Sequence, residues 1–123
     1  SIGHTVVEEV KDRVGNRVIR RKIIKTDAPQ YPSGYRYALH YGYTDGRDTI
    51  LWYDNENETV GRHECHTPEG VTKIEFPGMM DLRDRFLREI EQTMTENTLK
   101  ITFQQAREHR QAARERLRHA EAG

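Results

Sequence analysis

Between Tyr35 and Tyr43 large apolar residues fall on every second position: Tyr35, Tyr37, Leu39, Tyr41 and Tyr43, with Arg36, Ala38, His40 and Gly42 between them. A period of two is that of a β-strand with one face in a core. Asp45-Gly46 follows and predicts a tight type I′ hairpin. Such a turn sets Tyr43 opposite Asp48 and Tyr41 opposite Ile50. It then pairs Leu39 with Trp52, Tyr37 with Asp54 and Arg36 with Asn55. In that register Ile50 and Trp52 pack on the tyrosine face. Leu51, Tyr53 and Asn55 join Arg36 and His40 on the opposite face. A strand apolar on both faces is expected to be central in its sheet.

Upstream, Val6–Val14 and Arg17–Lys25 read as two charged strands joined by Gly15-Asn16, a connection suited to a primed turn with positive φ. Their basic residues (Lys11, Arg13, Arg17, Arg20, Arg21, Lys22, Lys25) suit either a solvated face or a ribbon that contacts phosphate. Pro29, Pro32 and Gly34 make Thr26–Gly34 a loop. His63–Thr67 is short and ambiguous, and Val71–Phe76 reads as a strand stopped by Pro77-Gly78.

The period changes after that. Met79, Leu82, Phe86, Leu87, Ile90 and Met94 form the apolar stripe of an amphipathic helix, the natural cover for one sheet face. Asn97 can cap a second helix, in which Leu99, Phe103, Ala106, Ala113, Leu117 and Ala120 make a thin seam interrupted at Arg110. From Asn97 onward six Lys/Arg oppose three Glu, 6 − 3 = +3. These patterns predict an α+β fold: a mostly antiparallel sheet of about five strands covered by one amphipathic helix. Residues 1–95 form the core domain and 96–123 a C-terminal helical arm, whose seam suits a partner chain, including a homodimer.

Composition narrows the function classes. Hydrophobic residues are 34% and charged residues 33% of 123, so the core is lean and the six tyrosines carry much of it. The 20 basic and 20 acidic residues cancel, so only local asymmetry can attract nucleic acid. The single cysteine, Cys65, excludes an internal disulfide and fits a reducing compartment. No apolar run approaches membrane-spanning length, so a cytoplasmic location and no membrane partner are expected.

The candidate chemistry gathers in Leu51–His66. A histidine side chain changes charge near neutral pH, so His63 and His66 suit acid and base roles in metal-free RNA cleavage. Such cleavage needs a base for the 2′-hydroxyl, an acid for the leaving oxygen and a cation for the phosphorane. Gly61, Pro68 and Gly70 argue against a helix here, so the two imidazoles are expected to point in different directions. The pair lacks further ligands at zinc-finger spacing, and no metal or cofactor is expected. Arg36 or Arg62 suits phosphate binding, and Tyr53 suits substrate positioning. His40 and Asn55 are expected beside them. Asp54 suits either orientation of a histidine or a turn cap. Cys65 lacks a nucleophile signature. At least one histidine is expected to fold back onto the face carrying Arg36, His40, Tyr53 and Asn55.

The ordered set GYRYALHY (34–41), ILWYDNE (50–56), GRHECH (61–66) and IEFPGMMDLRDRFLREIE (74–91) resembles the TumE-like toxin family of prokaryotic type II toxin–antitoxin systems. The resemblance spans about Thr5 to Gln92. It implies a small cytoplasmic toxin acting on RNA, made beside a DNA-binding antitoxin that neutralises it. Tyr53, Asp54, Asn55, His63 and His66 match the family's motif positions. Many relatives carry H-x-H where this chain has H-x-x-H, and the tail beyond Thr95 is longer. The reading is a toxin that is a metal-independent endoribonuclease. The alternative is a non-catalytic module whose basic hairpin and arm bind nucleic acid or protein.

Overall fold

The computed structural model describes residues 3–56, 59–93 and 111–122. Six strands form one antiparallel meander in chain order: β1 (His4–Val14), β2 (Arg17–Thr26), β3 (Tyr35–Tyr43), β4 (Thr49–Asp54), β5 (Glu64–Thr67) and β6 (Gly70–Lys73). The expected α+β architecture stands, with one strand more than anticipated. The ambiguous stretch before Pro68 pairs fully, Tyr53 with Cys65 and Trp52 with His66, and becomes β5. β6 is shorter than the alternation suggested and ends at Lys73, although the Ile74 N–H still bonds the His63 carbonyl at 3.0 Å.

α1 (Met79–Thr93) lies on one face of this sheet. Its Met79, Leu82, Phe86 and Ile90 and the sheet's Ile19, Ile23, Leu39, Tyr37 and Tyr41 are all fully buried. The helical stripe and the period-two stripe predicted from sequence thus meet as one core. Met94 and the predicted cap and seam over Asn97–Arg110 lie outside the described residues. α2 (Gln111–Ala122) closes on the same core. Leu117 is fully buried in it, Arg114 donates to both Asp84 oxygens at 3.2 and 2.9 Å, and Lys25 Nζ bonds the Ala120 carbonyl at 2.8 Å. The Glu121 carboxylate accepts the Met80 N–H at the start of α1, where the helix dipole favours an anion. Leu117, placed by sequence on a seam for a partner, is occupied within its own chain.

The Asp45-Gly46 connection is not the predicted type I′ turn, because only Gly46 has a positive φ (75°) and its N–H closes onto the Tyr43 carbonyl at 3.1 Å, yet the predicted register holds beside it. Gly42 faces Thr49, and the Tyr43 N–H bonds Asp48 O at 3.2 Å. A β-bulge at Ile50 then shifts the ladder by one residue. Tyr41 faces Leu51, Leu39 faces Tyr53, His40 faces Trp52 and Ala38 faces Asp54. A one-residue slip exchanges the faces of every later side chain. Tyr53 and Leu51 therefore join the core, whereas Trp52 and Asp54 point to the open face with His40. The predicted assignment of these four positions is reversed.

The hairpin β1–β2 carries a second departure. Arg21, read as part of a basic surface ribbon, is turned inward and 1% exposed. Its Nε lies 3.1 Å from Glu8, itself 1% exposed, and Glu8 also accepts two bonds from Arg83 of α1 at 2.9 and 3.0 Å. Asp12 takes the other side of Arg21 at 3.2 Å. Burial alone would push the Glu8 carboxyl up. The bond from Arg83 and the charges of Arg21 and Arg83 outweigh it and hold the pKa below its usual value. This cluster ties the hairpin to α1 and sets the position of the strands that border the open face.

Candidate functional site

The open face of the sheet, away from α1, is ruled by the cross-strand rows the bulge created. One row runs Lys11–Arg20–His40–Trp52–His66–Val71 and the next Glu9–Lys22–Ala38–Asp54–Glu64–Lys73. A concavity of about 590 Å³ on this face is lined by Glu9, Lys11, Arg20, Lys22, His40 and Trp52 among others.

His66 is the centre of the chemistry. Its ring stacks on Trp52 with centroids 4.3 Å apart and planes 25° from parallel. Its Nε2 lies 3.0 Å from Asp54 Oδ1 and 3.9 Å from Glu64 Oε1. The His66 side chain is 12% exposed, while those of Asp54 and Glu64 are 1% and 9% exposed. The Asp54 contact selects the tautomer that carries its hydrogen on Nε2 and leaves the Nδ1 lone pair free. Burial raises the Asp54 pKa, and the bond from His66 pulls it part of the way back. The Glu56 N–H adds to that pull, and Asp54 Oδ2 is buried with no hydrogen-bond partner of full geometry.

His40 stands edge-on to the same indole, with ring centroids 5.9 Å apart, and bonds Thr49 Oγ1 through Nε2 at 2.9 Å. Burial and then the Arg20 charge hold its pKa below the usual histidine value. Gly42 makes room for the ring. A Cβ there would stand 2.9 Å from His40 Cε1 and 2.7 Å from the Asp48 carbonyl. Beyond them Glu56 gathers two cations, Lys22 and Arg36, each at 2.9 Å. Arg62, half-exposed, lies 3.4 Å from Glu64.

The structure thus joins His66, Asp54 and His40 of the predicted set, leaves Arg36 and Arg62 at the margin through Glu56 and Glu64, and separates His63, Tyr53 and Asn55. His63 and His66 stand on opposite faces, as an odd spacing along an extended chain requires. His63 is packed against Phe76 at 4.4 Å, and its Nδ1 meets the Tyr37 hydroxyl at 2.8 Å. Burial lowers its pKa. Tyr53 sits on the core side. Its hydroxyl donates to Glu89 at 2.5 Å, and burial followed by that bond raises its pKa. Cys65 lies beside it in the same row, and burial raises its pKa too, the wrong direction for a nucleophilic thiolate.

Asn55 is fully buried and acts as backbone by proxy. Its Oδ1 accepts the Tyr37 N–H at 3.0 Å and its Nδ2 donates to the Tyr35 carbonyl at 2.7 Å. Both ends of the amide are spent holding the chain as it leaves β4. Sequence reasoning missed Glu64 and Trp52. Once Glu64–Thr67 is seen as a strand, Glu64 and His66 two apart must share a face, so the signal for Glu64 was present. Trp52 was hidden by the bulge.

Among the described residues no helix is long and apolar enough to cross a membrane. Neither the curated proteins nor the solved structures yield a match to the chain. The family model described as toxin TumE matches residues 4–94, which takes in the whole sheet and α1. The chain therefore belongs to the TumE toxin family and is a toxin-like component of a toxin–antitoxin system.

Proposed function

We propose that the open sheet face binds and cleaves RNA, with His66 as the proton-transfer group. The observation that carries this reading is a partly exposed imidazole, bonded to a buried carboxylate, on a face bordered by Lys11, Arg20 and Lys22. In cleavage by internal attack, the 2′-hydroxyl loses its proton as its oxygen bonds to the adjacent phosphorus. The 5′-oxygen leaves and takes up a proton from water, and the His66 imidazolium returns its proton to solvent, which yields a cyclic phosphate and a 5′-hydroxyl end. The free Nδ1 of His66 suits removal of the first proton. Asp54 positions the ring through Nε2 and, with Glu64, compensates the imidazolium that forms, as the aspartate of a hydrolytic triad does. Trp52 fixes the plane of the ring. Lys11, Arg20 and Lys22 supply positive charge for the phosphate backbone, and Arg36 and Arg62 extend it at the rim.

This reading moves the base from a His63–His66 pair to His66 alone and leaves Tyr53, Asn55 and His63 with structural work. The partner that the family implies is an antitoxin, and covering this face would neutralise the activity.

The test is cleavage of total RNA by purified protein in EDTA, with end mapping. Wild type and a His63→Phe variant should give the same fragments, and His66→Ala should lose them by at least about a hundredfold, the scale of general acid–base contributions. Equal cleavage by wild type and His66→Ala would refute the assignment. RNA binding without cleavage by any form favours the non-catalytic module instead.

A further inference from the structure

The donor set around His66 has a second capacity. Asp54, Glu64 and His66 each offer one ligand atom, and the three atoms lie within 4.8 Å of one another. They come from two paired strands. Asp54 faces Glu64 across the ladder, and His66 is two residues along on the same face. Metal–ligand bonds of about 2.1 Å place the corners of a tetrahedral site about 3.4 Å apart. The two separations from His66 Nε2, 3.0 and 3.9 Å, straddle that value.

Two further observations separate this set from an ordinary acidic cluster. Asp54 is 1% exposed, its Oδ1 is turned onto His66, and its other oxygen, buried, has no hydrogen-bond partner. Buried acceptors are nearly always satisfied, so a buried carboxylate oxygen held by no more than the pull of the Glu56 N–H on its group has the capacity to take a cation as its partner. In addition, Nε2 is the nitrogen that faces both carboxylates. One imidazole nitrogen with two carboxylate oxygens suits Zn²⁺ or a similar divalent transition cation and not Mg²⁺, which is bound through oxygen ligands.

We propose that Asp54, Glu64 and His66 bind one divalent transition cation of the Zn²⁺ class, and that its occupancy silences His66. Coordination takes the Nε2 lone pair, so the ring hydrogen moves to Nδ1 and the Nε2–H bond to Asp54 is given up. The free Nδ1 lone pair is thereby lost, and with it the base. The binding stands on the ligand geometry alone, whereas the silencing rests on the proposed function. The three ligands escape the H-x-x-H spacing because only one of that pair belongs to the site.

Trp52 is the only tryptophan in the chain, and it touches a ligand ring, which provides a direct readout. Full-length protein stripped with a chelator is titrated with Co²⁺ while tryptophan fluorescence and visible absorption are followed, without RNA. Saturable quenching at one equivalent is expected, with fluorescence restored when Zn²⁺ displaces Co²⁺. Glu64→Gln and Asp54→Asn should each weaken binding at least tenfold, while His4→Ala at the far edge of β1 should leave it unchanged. Circular dichroism confirms that each variant is folded. X-ray absorption of the Zn²⁺ form of wild type provides a measurement independent of the variants, and should show nitrogen and oxygen ligands with one imidazole. Absence of saturable quenching, binding untouched by both substitutions, or a multi-imidazole or sulfur-containing shell would each overturn the site. With RNA present, Zn²⁺ at saturation should slow cleavage at least tenfold and a chelator should restore it. Unchanged cleavage by the loaded protein would overturn the silencing. If the metal binds but no form cleaves RNA, the ribonuclease reading and the silencing fail, and the cation site stands.

Discussion

Glu8→Gln probes the cluster that holds the β1–β2 hairpin against α1. In the native protein Glu8 accepts from Arg83 at 2.9 and 3.0 Å and pairs with Arg21 at 3.1 Å, and the three side chains are 3% exposed or less. Removing the charge leaves two buried guanidiniums. Arg21 keeps Asp12 at 3.2 Å, and Arg83 keeps Asp84 at 3.9 Å. Breaking a buried pair from one side costs about 3–5 kcal/mol. For a domain of this size that is roughly 12–20 °C in Tm. The pH dependence has a definite sign. The folded pKa of Glu8 lies below its usual 4.5, so the stabilisation is full above that value and is lost as pH falls through the folded pKa. Urea unfolding followed by circular dichroism between neutral and acid pH should show a wild-type acid slope that is shallower in the variant. A loss under about 1 kcal/mol, the size of an exposed pair, together with an unchanged acid slope would refute the account of a buried, charge-holding cluster. A triple change of Glu8, Arg21 and Arg83 to apolar residues of similar volume should recover much of the loss, because it leaves no unpaired charge.

Asn55→Ala should lower stability by about 2–4 kcal/mol, read as a shifted denaturant midpoint, because the buried Tyr37 N–H loses its side-chain acceptor and the Tyr35 carbonyl is left with the longer bond from Ser33 Oγ at 3.3 Å. Asn55→Asp should keep the bond from the Tyr37 N–H and lose the one to the Tyr35 carbonyl, for an intermediate or larger cost according to the charge it carries. His63→Phe should keep the stack on Phe76 and cost about 1–2 kcal/mol for the stranded Tyr37 hydroxyl, with RNA cleavage retained. Gly42→Ala, whose Cβ meets the Asp48 carbonyl and the His40 ring, should displace that ring and perturb the Trp52 emission spectrum; an unchanged spectrum would show that the ring does not depend on the glycine.

Much of this architecture is written in local pattern. The tyrosine alternation of Tyr35–Tyr43 and the stripe Met79–Ile90 each define one buried face, and a sheet face and a helix stripe have one economical way to meet. The Gly15-Asn16 hairpin follows from turn chemistry, as does the place of the Asp45-Gly46 turn though not its type, and the motif order alone sufficed to point to the toxin family. The region 94–110, where the thin seam begins, lies outside the described residues, so the predicted arm is followed only from Gln111.

The candidate site was legible in its residue types and not in its grouping. His66, Asp54 and His40 were named from sequence, but Tyr53 was set beside them and Trp52 was buried instead. The cause is a single extra residue, Ile50, in the β3–β4 ladder. Side-chain direction along a strand has a period of two, so one bulge reverses every assignment beyond it, and a bulge is decided by how the finished sheet packs and not by the residues at the turn. Arg21 shows the same limit from the other side. A charged residue on a charged hairpin reads as surface until Glu8 and Arg83, distant in sequence, are brought against it. Sequence alone determined β1 to β4, the tyrosine face of β3, the α1 stripe and the family, while β5 emerged only from its pairing with β4. Only the tertiary structure decided which face each β4 side chain occupies, and so joined Asp54, Glu64 and His66 into one site.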